Sequence, residues 1–130
     1  MEELLTLPDL LAHTSEITQL FDQLVGPRTP VLMMTELTAE VGTLADGIMI
    51  VEQHRSPRQN TPPIDLADDL ADVLFMLLRL ADHYCIDLQE AYTNMLTSTR
   101  LQLEQQLASQ EGREDADLVL IKPFNREDVV

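Results

Sequence analysis

The sequence predicts an all-α fold: a helix bundle of about four helices, completed by oligomerisation. Three observations carry this expectation. Apolar residues recur at helical spacing in four separate stretches. A Gly-Pro pair and a proline-rich segment fall between stretches rather than inside them. The segment 73–81 is apolar nearly all round, broken only by Arg79, as in a helix buried on several sides within one chain or across an interface.

The first helix is expected over residues 7–25, with an apolar stripe of Leu10, Leu11, Ile17, Leu20, Phe21 and Leu24, and it stops at Gly26-Pro27. The second opens at Thr29-Pro30, a capping hydroxyl followed by a proline whose missing N–H costs nothing at that position. It runs to about His54, with Leu37, Val41, Leu44, Ile48 and Val51 as its buried face. Pro57, Pro62 and Pro63 forbid helix in the linker 55–63.

The third helix is expected over about 64–84, with Asp65, Asp68 and Asp69 in its first turns, where the helix dipole favours negative charge. The fourth begins near Asp87, an N-cap, and reaches about Leu107. Residues 1–108 then form a single helical domain and 109–130 a polar C-terminal tail. In that tail Leu118 to Ile121 is a short apolar patch suited to a strand or a docking segment.

Composition narrows the function classes. The 130 residues carry 23 acidic and 8 basic side chains, a formal net charge of -15. Such a chain has no basic face for nucleic-acid phosphates and favours divalent cations. One cysteine, Cys85, excludes an intramolecular disulfide, and no apolar run approaches the ~20 residues of a membrane span. The expected setting is cytoplasmic, without nucleic-acid or membrane partners. His13, His54 and His83 are not at ligand spacing, and the glycines are scattered rather than gathered into a phosphate loop.

The chemistry lies in carboxylates on two helices. Glu36 and Glu40 are four apart and share one side of the second helix, at the edge of its apolar stripe. Asp69 and Asp72 are three apart on the third helix, with Asp72 one turn from the most apolar segment. A carboxylate buried there wants a cation or hydrogen-bond donors. Two such pairs make a cage for Mg²⁺, with Mn²⁺ as an alternative, because hard ions prefer oxygen ligands. Dipole preference alone also accounts for Asp65, Asp68 and Asp69, and Glu36 and Glu40 also suit a solvated edge. Arg79 is expected to pair with an acidic residue across an interface, or to reach a phosphate.

Residues 37–45, LTAEVGTLA, and 69–75, DLADVLF, either side of the proline-rich linker, resemble the MazG-like all-α nucleoside triphosphate pyrophosphohydrolases, a superfamily that includes the dimeric dUTPases. Ile86-Asp87-Leu88-Gln89-Glu90-Ala91 is similar to the opening of that family's next helix, and the likeness spans about residues 15 to 105. The resemblance implies Mg²⁺-dependent cleavage of a (d)NTP to a (d)NMP and pyrophosphate, by a homodimer or homotetramer. Against the motif Glu-Glu-x-x-Glu, Glu40 matches the second glutamate, while Ala39 and Thr43 stand at the first and third. Against Glu-x-x-Asp, Asp69 and Asp72 match.

The resemblance therefore implies a metal set of Glu36, Glu40, Asp69 and Asp72, with Glu36 a stand-in one turn before the motif and Glu40 also the general base. Asn94 and Arg100 are the nearest matches to the family's phosphate-meeting basic residues. The departures keep a second reading open: a family member that has lost catalysis and acts as a nucleotide-binding or protein-interaction oligomer. A third is a structural bundle with a solvated acidic face.

Overall fold

The structure, a computed structural model, describes residues 3–113. The fold is all-α: α1 (Leu7–Val25), α2 (Pro30–Val51), α3 (Leu66–His83) and α4 (Leu88–Glu111), with no strand among the described residues. No helix there is long and apolar enough to cross a membrane. The chain divides into two compact units, one ending at Glu90 and one beginning at Ala91. In the first, α3 packs against both α2 and α1. The apolar patch expected at Leu118 to Ile121 lies outside the described residues.

Helix starts follow from capping chemistry. Thr6 caps α1 in a reciprocal box: its hydroxyl accepts from the Asp9 N–H, and the Asp9 carboxylate accepts from the Thr6 N–H at 2.9 Å. Thr29 accepts from the Leu32 N–H at 3.3 Å, with Pro30 first in α2. Asp65 stands just outside α3 as its N-cap, accepting from the N–H groups of Ala67 and Asp68 at 3.1 Å. Asp87 accepts from the Glu90 N–H at 2.9 Å at the head of α4.

Helix ends differ from expectation at two places. α2 stops at Val51 rather than at His54, because Gln53 takes a left-handed φ of 63° and the His54 N–H bonds back to the Met49 carbonyl at 2.8 Å. α3 ends in the same way: Cys85 has φ 53°, its N–H donates to the Asp82 carbonyl, and the Ile86 N–H donates to the Ala81 carbonyl at 2.8 Å. This paired bonding closes a helix around a left-handed residue, a place usually taken by glycine. Cys85 is exposed there rather than packed. α4 continues to Glu111, into the stretch expected to be a loose tail, and none of its residues is buried.

The faces turned inward are not the ones read from apolar periodicity. In α1 the buried residues are Thr14 and Thr18, on a line with Leu11 and Asp22, while Ile17, Leu20 and Leu24 stay exposed. The Thr14 hydroxyl donates to the Leu10 carbonyl at 2.7 Å, so the side chain packs by its methyl with its polar atom satisfied locally. In α2 the inward line is Met33, Leu37, Glu40, Leu44 and Gly47, and Val41, Ile48 and Val51 are exposed. The true line shares Leu37 and Leu44 with the expected one but carries a glutamate and a glycine in its seam. α3 buries Met76, Leu78, Arg79 and Ala81 and leaves Leu70, Leu74 and Leu77 exposed.

Two outcomes test this account. Cys85→Gly removes the left-handed penalty of ~1–2 kcal/mol while adding unfolded-chain entropy, so urea denaturation should show a net gain of up to about 1 kcal/mol. A loss would mean that the α3 terminus is held by something other than this turn. The Thr6 hydrogen bonds hold the Asp9 carboxyl below its ordinary value. A lowered native value means the capping contribution is complete above the ordinary aspartate range and fades as pH falls through the lowered one. An NMR titration should place Asp9 below the ordinary aspartate value in the wild type and raise it back toward that value in Thr6→Ala.

Candidate functional site

A cavity of about 230 Å³ opens where α1, α2 and α3 meet. α1 contributes Phe21 and Val25, and the short connection to α2 contributes Arg28. Glu36 and Glu40 enter from α2, and Asp72, Phe75, Met76 and Arg79 from α3. Phe21 and Phe75 meet edge to face, ring centres 6.1 Å apart, and bridge α1 to α3 beside the cavity.

Arg79 is the centre of the charge arrangement. Its side chain is 5% exposed, and its Nη2 donates to Asp22 Oδ1 at 3.2 Å. Its Nη1 lies 3.7 Å from Glu36 Oε2, and its guanidinium carbon lies 6.0 Å from the centre of the Phe21 ring. The buried Nε has no hydrogen-bond partner among the described residues. Glu36 is shared, because its Oε1 also pairs with Arg28 at 3.3 Å. The ion pair expected of Arg79 across an interface is instead made within the chain, to Asp22 on α1 and Glu36 on α2.

The sequence-derived carboxylates separate into three situations. Glu36 is held between two guanidiniums. Glu40, half-buried in the α2 seam, and Asp72, exposed on α3, face the same cavity, and neither has an ion-pair or hydrogen-bond partner among the described residues. Asp69 does not line the cavity. It lies over Gly47, where an added Cβ would come within 3.1 Å of its Oδ2 and 3.3 Å of Ile64 and Leu66. The glycine thus lets α3 approach α2 where a side chain would push it away. Asp72 is not the buried carboxylate the sequence suggested, because the helix turns it to the open side.

Asn94 and Arg100 lie exposed on α4, in the second unit. Six residues of helix place them about 120° apart around its axis, so they do not share a face. A shallow depression along α4, lined by Gln102, Gln105, Gln106 and neighbours, contains no carboxylate.

Among the described residues no three carboxylate, histidine or cysteine side chains are gathered so as to hold a metal ion. The residues present do fit Mg²⁺ of the kind that protein grips by one or two carboxylates, with water and phosphate oxygens completing its shell. Glu40 and Asp72 are the two free carboxylates on the cavity. Sequence reasoning missed Arg28, Phe21 and Phe75. In a chain with 23 acids and 8 bases, a lone arginine beside a helix start was the available signal for Arg28.

No family model matches the chain, and no curated protein matches it. Among solved structures, the chain is similar to the crystal structure of "the putative pyrophosphatase YPJD from Bacillus subtilis", with 27% sequence identity and a TM-score of 0.60. The match covers 76% of this chain and 96% of that one.

Asp22→Ala takes the nearest carboxylate from a buried guanidinium. With Asp22 itself a third exposed, the expected loss is about 1–3 kcal/mol, and Arg79→Met/Asp22→Ala should recover part of it. Chemical denaturation of the two variants measures both. Equal stability of Asp22→Ala and wild type would show that the pair holds nothing together.

Proposed function

We propose that the chain is a Mg²⁺-dependent nucleoside triphosphate pyrophosphohydrolase, releasing a monophosphate and pyrophosphate. The observation that carries the reading is the pair of unpartnered carboxylates, Glu40 and Asp72, on a cavity that also presents the guanidiniums of Arg28 and Arg79. The similarity in fold to a protein named as a pyrophosphatase supports it, as does the MazG-like motif around Glu40, Asp69 and Asp72.

Glu40 and Asp72 are the residues that would hold Mg²⁺, which when bound neutralises phosphate charge and lowers the pKa of water. Glu36 is engaged by arginines and Asp69 lies over Gly47, so neither is needed for a two-carboxylate grip. Glu40, half-buried in the seam, is positioned to take the proton of an attacking water. Arg28 and Arg79 supply positive charge where triphosphate oxygens enter, a stabilisation strengthened by the partly desolvated setting.

The exposed line of Val41 and Ile48 on α2, with Leu70 and Leu74 on α3, supports a homo-oligomer in which a second copy covers these side chains. The second reading, nucleotide binding without hydrolysis, is favoured by one observation: Glu36 is already committed to Arg28 and Arg79.

Purified protein with Mg²⁺ should release pyrophosphate from at least one member of an NTP and dNTP panel. Glu40→Gln and Asp72→Asn should each lower kcat by roughly 100-fold or more. A panel silent with both Mg²⁺ and Mn²⁺, alongside nucleotide binding by calorimetry, would establish the second reading instead.

A further inference from the structure

Glu36 holds an unusual place among the cavity carboxylates. It sits between two guanidiniums without a close, bidentate pairing to either, at 3.3 Å from Arg28 and 3.7 Å from Arg79. Charge-assisted N–H···O bonds normally close to about 2.7–2.9 Å. Arg79 keeps a buried Nε–H with no acceptor among the described residues, a donor already stripped of water, and such an orphan is costly to leave unpaired. Arg28 stands on the connection between α1 and α2 with its side chain about a third exposed, at 34%. It is therefore the solvent-side partner of the buried Arg79. The cavity they line, about 230 Å³, has room for a phosphate group, since a water takes ~30 Å³.

We propose that Arg28 and Arg79 form a cradle for a phosphate or pyrophosphate oxyanion, and that Glu36 is its internal occupant, displaced when the ligand enters. This deepens the nucleotide-hydrolysing reading, on which the identity of the ligand rests, and assigns Glu36 a role other than metal binding. A carboxylate presents two oxygens on one plane; a phosphate presents three around a centre and carries more charge. The phosphate reaches both guanidiniums together. Glu36 released from the arginines swings toward solvent, to which it is already a third exposed. In the empty site the same glutamate neutralises two cations that otherwise repel each other.

Calorimetric titration of the full chain with inorganic pyrophosphate, in metal-free buffer at low salt, tests this. Glu36→Gln keeps the shape and removes the competing charge, so pyrophosphate should bind it several-fold more tightly than wild type. Arg28→Ala, on an exposed connection where folding is not at stake, should bind about tenfold more weakly, and Arg28→Lys should recover part of the loss. Binding to Glu36→Gln no tighter than to wild type, or binding insensitive to Arg28→Ala, overturns the proposal. Should Glu36→Gln fail to fold by circular dichroism, the Arg28 pair decides alone.

A non-hydrolysable α,β-imido nucleoside triphosphate with Mg²⁺ serves as a second arm. Arg28→Ala weakening both probes assigns the cradle to the shared diphosphate. Arg28→Ala weakening neither overturns it a second time. The two readings fail separately. Hydrolysis with Arg28-insensitive pyrophosphate binding removes the cradle alone, whereas Arg28-dependent binding without turnover removes the hydrolase alone.

Discussion

Arg79 is a cation set inside the apolar stretch 73–81 of α3, and the arrangement of the first three helices follows from satisfying it. A guanidinium that is 5% exposed needs counter-charge within reach. Here the counter-charge comes from two directions, Asp22 on α1 and Glu36 on α2. The two contacts tie three helices through one side chain and fix rotation as well as distance. α1 must turn the line of Thr14, Thr18 and Asp22 toward α3, leaving much of its apolar stripe outside. Ion pairs of this kind are poor sources of net stability, since desolvation offsets most of the attraction. Their structural effect is to penalise the alternatives: any packing that separates Asp22 from Arg79 leaves a buried charge without its nearest partner.

The same constraint divides the acidic residues by use. With a formal charge of -15 the chain has carboxylates to spare, and most are dispersed or cap helices, as Asp9, Asp65 and Asp87 do. Asp22 and Glu36 are consumed by Arg79, and Asp46 is paired with Arg55. What remains on the cavity is Glu40 and Asp72, which no basic side chain among the described residues neutralises. A cavity with two free carboxylates beside two guanidiniums offers both signs of charge within one small volume. Substrates with several phosphate charges and an accompanying cation match that pattern better than a simple cation or a simple anion does.

Much of the fold was legible because helix limits are written in local chemistry. Thr29-Pro30, Gly26-Pro27 and Asp87 act on their own neighbours, so each could be read without knowledge of the tertiary structure. The end at Gln53 could not, because no glycine there signals a left-handed residue; the end of α3 was placed to within a residue although Cys85 gives no such signal. The inward faces were harder still. In α2 two lines pass through Leu37 and Leu44, one continuing through Val41 and Ile48, the other through Met33, Glu40 and Gly47. Apolar counting prefers the first. The packing uses the second because Gly47 admits Asp69, Ile64 and Leu66 close to the helix. Glu40 and Asp72 were visible as motif residues; Arg28 was not, since a single arginine in a connection has no periodicity to betray it.

The choice of line in α2 also links the cavity to the exposed surface. Adjacent helical positions are about 100° apart, so turning Glu40 into the seam with α3 necessarily turns Val41 out. Ile48 follows it two turns later. Each such side chain, left about half exposed, forgoes about half of the roughly 1.5–3 kcal/mol of full burial, and Leu70, Leu74 and Leu77 on α3 add to that sum. Within the first unit, α2 cannot turn both lines toward α3 at once, and rotating it back withdraws Glu40 from the cavity. A second copy laid over these residues, as proposed above, would recover it with the helix left where the cavity needs it. The position of Glu40 and the apolar surface beside it are therefore two consequences of one rotation, and a chain that keeps the first is under physical pressure to cover the second.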